Sequence, residues 1–211
     1  MDSALPWVRL ELLDGEAYYL GEFIPKPRAD TLFEVLRRQL SWHQPRVRIC
    51  GRMVRSPRLA AWHGDPGAVY TYSGSTNEPL PWLPELRDLR DCVQRACGAR
   101  FNSVLANLYR DGRDSMGWHS DAETELGSEP VIASLSVGGA RRFLLRHRKR
   151  KSHPRTAVIL QPGSLLLMCG STQRYWRHRV PPTKRPVDPR INLTYRNLQI
   201  ADDSRTCRTG V

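Results

Sequence analysis

Seven short apolar segments crowd into residues 101–198, and two stretches of helix-spaced apolar residues precede them. Many short strands after an α-rich start predict a mainly β (α+β) fold: a double-sheet barrel of jelly-roll type, a double-stranded β-helix, with helices packed outside. A length of 211 residues with no internal repeat and no linker predicts one domain, 1–211, large enough to bury a core.

Taken in order, residues 1–28 alternate apolar and polar positions and then reach Pro25-Lys-Pro27, which predicts an edge strand running into a turn. Thr31-x-x-Glu34 has capping-box form, and Leu32, Val35, Leu36 and Leu40 follow at helical spacing, so a helix is expected over 31–41. Arg46-Val-Arg-Ile-Cys-Gly-Arg-Met-Val-Arg55 alternates cations with apolar residues around Gly51, which predicts a hairpin with a cationic face. Tyr70 and Tyr72 lie at i and i+2, on one face of a strand, either packed across strands or forming a stacking platform for bases. Pro84 opens a second helix with a stripe of Leu86, Leu89, Val93 and Ala96, and Gly98 suits its C′ position. Strands are then expected at 101–109, 131–137, 142–145, 157–161, 164–169, 176–180 and 191–198, with a polar, mobile tail from 201 to 211.

The charge balance narrows the partner. Thirty-three Lys and Arg against 21 Asp and Glu give +12, which favours an anionic partner, nucleic acid first. Residues 141–155 hold eight Arg or Lys and no acid, a solvated loop able to contact phosphates. Five cysteines (50, 92, 97, 169 and 207) form no CxxC pair and are odd in number, which argues for a reducing compartment rather than a disulfide framework. With no signal-like start and no apolar run near 20 residues, the expectation is an intracellular, cytoplasmic protein with no membrane partner, monomeric by default.

The chemistry concentrates in two stretches. His119 and Asp121, two apart, leave one face of an extended segment, and with His178 they offer the two imidazoles and one carboxylate of a non-haem Fe(II) facial triad. Arg190, Asn192, Thr194 and Arg196 recur at period two on a later strand, and Asn107 and Tyr109 do the same on another. Each has a plainer reading: a hydrogen-bonded core histidine, a surface histidine among arginines, an ion-pairing strand. Order and spacing together suggest a metal that handles a dicarboxylate; the same ligands could bind Zn²⁺ in a hydrolase, against which the two arginines argue.

These motifs carry a resemblance. Asn107-x-Tyr109 with Asp-Gly following, Trp118-His-Ser-Asp121, Ser134-Leu-Ser136, Gly163-Ser-Leu-Leu, Trp176-Arg-His178 and Arg190-Ile-Asn-Leu-Thr-Tyr-Arg196 resemble the AlkB family of Fe(II)- and 2-oxoglutarate-dependent nucleic-acid dealkylases over residues 18–198. Pro57-Arg58, Gly64-Asp-Pro-Gly67 and Tyr70-Thr-Tyr72-Ser-Gly resemble the nucleotide-recognition lid of the branch holding the nuclear DNA-repair homologue and its bacterial relatives.

The resemblance implies residues 1–100 as helices and lid and 101–200 as the dioxygenase core. It implies Fe(II) on His119, Asp121 and His178, the catalytic centre, with O2 as oxidant. 2-Oxoglutarate would lie with its distal carboxylate on Arg190 and its other oxygens on Arg196, Asn107, Tyr109 and Asn192. Tyr72 would stack the damaged base against His119, with Tyr70, Glu123 and Arg58 in the base pocket. The family's activity would be oxidative demethylation of N1-methyladenine and N3-methylcytosine in single- or double-stranded DNA, or in RNA, at the nucleoid of a bacterium or in a eukaryotic nucleus. One departure stands out: where the mammalian relative has an aromatic finger, this chain has Ile49-Cys50-Gly51. The rivals are a jelly-roll oxygenase acting on protein or a small molecule, and a non-catalytic nucleic-acid-binding module.

Overall fold

Period-two alternation along residues 103–196 sorts side chains between a helix-covered face and a barrel interior, and that sorting builds the site. The computed structural model describes residues 1–2, 4–49, 51–72 and 75–199. The chain begins with β1 (Val8–Leu10), β2 (Glu16–Leu20) and helix α1 (Lys26–Gln39). The hairpin β3 (Arg46–Ile49) and β4 (Arg52–Arg55), strand β5 (Leu59–Gly64) and the short pair β6 (Tyr70–Tyr72) and β7 (Ser75–Asn77) follow, then helix α2 (Pro84–Cys97). The remainder is β8 (Ser103–Tyr109), β9 (Met116–His119), β10 (Ile132–Gly138), β11 (Arg141–His147), β12 (Thr156–Leu160), β13 (Leu165–Cys169), a single turn α3 (Thr172–Tyr175), β14 (Trp176–Val180) and β15 (Arg190–Arg196).

The seven-stranded sheet runs β1-β2-β13-β10-β15-β8-β5, and a four-stranded sheet runs β12-β11-β14-β9. From β8 onward the chain crosses between the two sheets, and every ladder is antiparallel, the arrangement of a double-stranded β-helix. Strands from the N-terminal half extend the large sheet at both edges: β2 pairs with β13 and β5 with β8.

On the large sheet, Val104, Ala106, Leu108, Ala133, Leu135, Val137, Leu165, Leu167, Ile191, Leu193 and Tyr195 share one core with the buried faces of α1 and α2. Full burial of each large apolar side chain there contributes roughly 1.5–3 kcal/mol. The alternate positions face the barrel, and on β15 these are Arg190, Asn192, Thr194 and Arg196, all buried.

The first helix corrects the sequence expectation at its start. It begins at Lys26, five residues before Thr31, because Pro25 stands at the N-cap and Pro27 fits the first turn, where no N–H is needed. The Thr31 hydroxyl donates to Pro27 O at 3.0 Å instead of capping a helix. The second helix ends as expected, with Gly98 left-handed at φ 62. Residues 141–155 are also not one loop: 141–147 form β11, and Arg141 is buried, donating to the carbonyls of Asp111, Asp114 and Pro181. The tail expected over 201–211 lies outside the described residues. Among those described, no helix is long and apolar enough to cross a membrane.

Candidate active site

The two expected histidines meet across a β-ladder. His178 on β14 is the register partner of His119 on β9, and two residues further along β14, Val180 pairs with Met116, three residues back on β9. The extra residue is a bulge, and it lets both Met116 and His119 line the same pocket. Asp121 lies two residues beyond β9, its backbone N–H donating to Gln173 Oε1 at 2.9 Å. One ligand atom from each of His119, Asp121 and His178 lies within 4.8 Å of the others.

The donor set fits a metal. The two imidazole Nε2 atoms stand 3.1 Å apart. Two nitrogens about 2.1 Å from one ion at right angles would stand about 3.0 Å apart. His119 Nδ1 lies 2.9 Å from Gly117 O, which holds the proton on Nδ1 and frees Nε2 for a metal. Burial, His119 and Arg196 push the His178 imidazole down to about 3 against the pull of Asp121, so it is neutral and ready to ligate. Burial alone would raise the Asp121 carboxyl, but Arg196, His178 and His119 outweigh it and hold it below the usual range. His178 also stacks on Phe143, ring centroids 5.3 Å apart.

The pocket holds about 460 Å³ between its walls, open mouth included, and is lined on the large-sheet side by Asn107, Tyr109, Ser134, Arg190, Asn192, Thr194 and Arg196. Arg190 is 1% exposed, with Nη2 donating to Ser136 Oγ at 2.8 Å, while its Nε and Nη1 have no hydrogen-bond partner among the described residues. Burial pushes this guanidinium down to about 10, against the favourable influence of Tyr109, and it remains a cation. Two buried guanidinium donors on a residue that lines the pocket call for an anion, and a carboxylate of 2-oxoglutarate fits them.

The other expected residues fall less uniformly. Arg196 Nη2 lies 2.5 Å from Asp121 Oδ1, so it grips an iron ligand. Asn192 donates to Ser134 Oγ and Leu135 O and accepts from Thr194, a wall braced by its neighbours. Arg58 is buried and donates to Asn107 Oδ1, outside the pocket lining. Glu123 is half-buried beyond Asp121. Tyr70 and Tyr72 are on β6 and Ile49 ends β3, and Cys50 lies outside the described residues. Ser134 and Ser136 belong to a motif already noted in the sequence, while Gln173 and Phe143 carry no signal of spacing or charge that singles them out.

A jelly roll with this triad facing a buried arginine defines an Fe(II)- and 2-oxoglutarate-dependent oxygenase. The family model described as the 2OG-Fe(II) oxygenase superfamily matches residues 16–196. The chain is 41% identical over 208 residues to the DNA oxidative demethylase ALKBH2 of Bos taurus, covering 94% of this chain and 74% of that protein. It is 40% identical over 182 residues to ALKBH2 of Homo sapiens, covering 82% and 70%. Alpha-ketoglutarate-dependent dioxygenase alkB homolog 3 of Homo sapiens is 40% identical over 184 residues, 83% of this chain and 64% of the relative. The solved structure of OsALKBH1 superposes with a TM-score of 0.62 at 17% identity, over 90% of this chain and 100% of that one, a likeness of fold. The chain belongs to the AlkB family within the 2OG-Fe(II) oxygenase superfamily.

Proposed function

We propose that this enzyme oxidatively demethylates N1-methyladenine and N3-methylcytosine in DNA, consuming 2-oxoglutarate and O2 and releasing formaldehyde, succinate and carbon dioxide. The observation that carries it is the His119, Asp121 and His178 triad in one pocket with the unsatisfied Arg190 donors, in a chain about 40% identical to proteins named DNA oxidative demethylases. Bound iron with 2-oxoglutarate supplies the oxidising chemistry that hydroxylates the N-methyl group. The chain supplies position and shielding. Arg196 keeps Asp121 ionised and oriented; Arg190, with Tyr109 and Asn107, receives the oxo acid; Asn192 and Thr194 keep the wall in place. Both methylated bases are cationic, and the Glu123 carboxylate beyond Asp121 favours that charge. Tyr72 is assigned to stack the base, with Tyr70 beside it.

The methyl groups sit on the pairing edge, so the target base must leave its stack or already be unpaired. A basic outer face supports a phosphate-bearing substrate. Arg146 and Arg179 lie over the Trp118 ring, 4.3 and 4.7 Å from its centroid, next to His119 in sequence, and residues 148–151 continue the positive surface as Arg-Lys-Arg-Lys. The protein is assigned as a monomer.

The test is formaldehyde release from an oligonucleotide carrying one N1-methyladenine, with iron and 2-oxoglutarate withheld in turn. Release only with both supports the reading. Turnover of 2-oxoglutarate driven by a protein or small molecule, with no release from the oligonucleotide, overturns it.

A further inference from the structure

The resemblance places Arg58 near the damaged base; in the structure its guanidinium is held by Asn107 and Ser56. It is 5% exposed; Nε donates to Asn107 Oδ1 at 2.7 Å and Nη1 to Ser56 Oγ at 3.0 Å. Among the described residues no carboxylate lies within ion-pair distance of it. We propose that Arg58 is a positioning residue for the oxo acid: it fixes the Asn107 amide with Nδ2 turned into the pocket, and ties that amide to the root of the β3–β4 hairpin. The inference rests on the 2-oxoglutarate reading of the pocket.

The amide orientation follows from donor chemistry. A guanidinium Nε–H can only donate, so the Asn107 atom facing it is the oxygen. Nδ2, with two hydrogens, is left on the side of the pocket that Asn107 lines. A rotated amide would set Nδ2 against Nε–H and present an oxygen to an incoming carboxylate, losing one hydrogen bond and repelling the ligand. The charge on Arg58 also polarises the amide, which strengthens Nδ2 as a donor. Asn107 pairs with Ala60 on β5 and Asn192 on β15, so its backbone is fixed and the side-chain torsion is the freedom that Arg58 removes.

The other end of the chain of bonds reaches the hairpin. Ser56 is fully buried; its N–H donates to Pro45 O at 2.7 Å, and its carbonyl accepts Gln44 Nε2 at 2.8 Å. Pro45 and Ser56 flank β3 and β4 and close the hairpin at its base. Asn107, Arg58, Ser56 and Pro45 therefore form one hydrogen-bonded series from the pocket wall to that base.

The experiment is equilibrium binding of 2-oxoglutarate to the full-length protein loaded with Mn²⁺, an inert substitute for iron, by calorimetry. Methylated-oligonucleotide affinity is measured in parallel without 2-oxoglutarate, and thermal unfolding reports the fold. Arg58→Met should weaken 2-oxoglutarate binding about tenfold, as expected when a partner that orients a ligand-holding group is lost. Mn²⁺ affinity and oligonucleotide affinity should stay within about twofold. Arg58→Lys, which keeps the charge but lacks the planar fork, should fall between. Asn107→Asp keeps the acceptor for Arg58 but removes the pocket donor, so it should lose at least as much 2-oxoglutarate affinity as Arg58→Met while folding normally. If Arg58→Met does not fold, Arg58→Lys and Asn107→Asp carry the comparison, and unchanged 2-oxoglutarate binding in both overturns the proposal. Lost oligonucleotide affinity with unchanged 2-oxoglutarate binding also overturns it, in favour of direct contact with the base. Failure of the unmodified Mn²⁺ protein to bind 2-oxoglutarate overturns the co-substrate reading and this inference with it; equal binding by the unmodified protein and Arg58→Met overturns this inference alone.

Discussion

Arg196 Nη2 meets Asp121 Oδ1 at 2.5 Å, while Asp121 Oδ2 lies 3.6 Å from His178 Nε2. The two oxygens are thus divided between a fixed cation and the metal position. Both residues are buried, so the pair is an ion pair out of water. Removing one member leaves the other charge stranded. Arg196→Met should destabilise the metal-free protein by about 3–5 kcal/mol. A divalent metal should restore part of this, because it supplies the missing positive charge. Urea unfolding with and without Mn²⁺ measures both effects; equal loss in the two conditions would show that Arg196 does not act through Asp121.

Arg190 predicts the opposite balance. Its charge is buried with two donors unsatisfied, a cost to the free protein that an anion relieves. Arg190→Met should therefore leave the metal-free fold as stable as the unmodified protein or more so. The same change should raise the 2-oxoglutarate KM roughly ten- to a hundredfold, since a charge-assisted hydrogen bond of about 1.5–3 kcal/mol is lost. Unfolding curves and co-substrate titrations on one preparation test the pairing. A destabilised variant with normal KM would assign Arg190 to the fold.

The contrast between these two arginines also marks how far the sequence could be read. Period-two spacing placed Arg190, Asn192, Thr194 and Arg196 on one interior face, and the ladder pairing Arg190 with Tyr109 and Asn192 with Asn107 bears that out. Spacing says which face a side chain leaves, not which atom it reaches, so the grip of Arg196 on Asp121 and of Arg58 on Asn107 was hidden. His119, Asp121 and His178 were legible as a set. The bulge in β9 was not, because it depends on how Met116-Gly-Trp-His119 pairs with a strand 59 residues away. Gln173 holds the Asp121 backbone through a single neutral amide, and nothing in its neighbours announces that. The capping-box pattern at Thr31 points to a later start for α1 than the true one, which the prolines upstream set because their fixed φ suits a first turn.

Acid should loosen the metal-free enzyme in a defined window. The folded His178 value of about 3 lies below its ordinary 6.5, so the unfolded chain takes up the proton first. The stability contributed by neutral His178 is fully present above about 6.5 and is lost as pH falls toward 3. Asp121, also depressed, adds a loss of the same sign at more acid pH. Thermal unfolding in chelator across this range should show the midpoint falling, and His178→Asn should flatten the slope below 6.5. A slope unchanged in that variant would place the titrating group elsewhere.

The hairpin raises the question of duplex substrate. Extruding a base costs a few kcal/mol in pairing and stacking, least at a damaged pair, and a wedge in the vacancy offsets part of it. Here the strands end at Ile49 and begin again at Arg52, which pair, and Gly51 at φ 78 turns the chain between them. Isoleucine is able to intercalate but offers less stacking area than an aromatic ring. Arg46, Arg52 and Arg55 on the same hairpin would hold phosphates of either substrate form without replacing that stack. Single-stranded DNA should therefore be repaired at least as efficiently as duplex. Ile49→Ala should lower kcat/KM on duplex more than on single strands, and Cys50→Phe should raise the duplex value selectively. Matched oligonucleotides with one N1-methyladenine, compared at fixed salt because phosphate contacts are screened, give the measurement. A strong duplex preference in the unmodified protein, or equal loss on both substrates in Ile49→Ala, would remove this hairpin from the role of wedge.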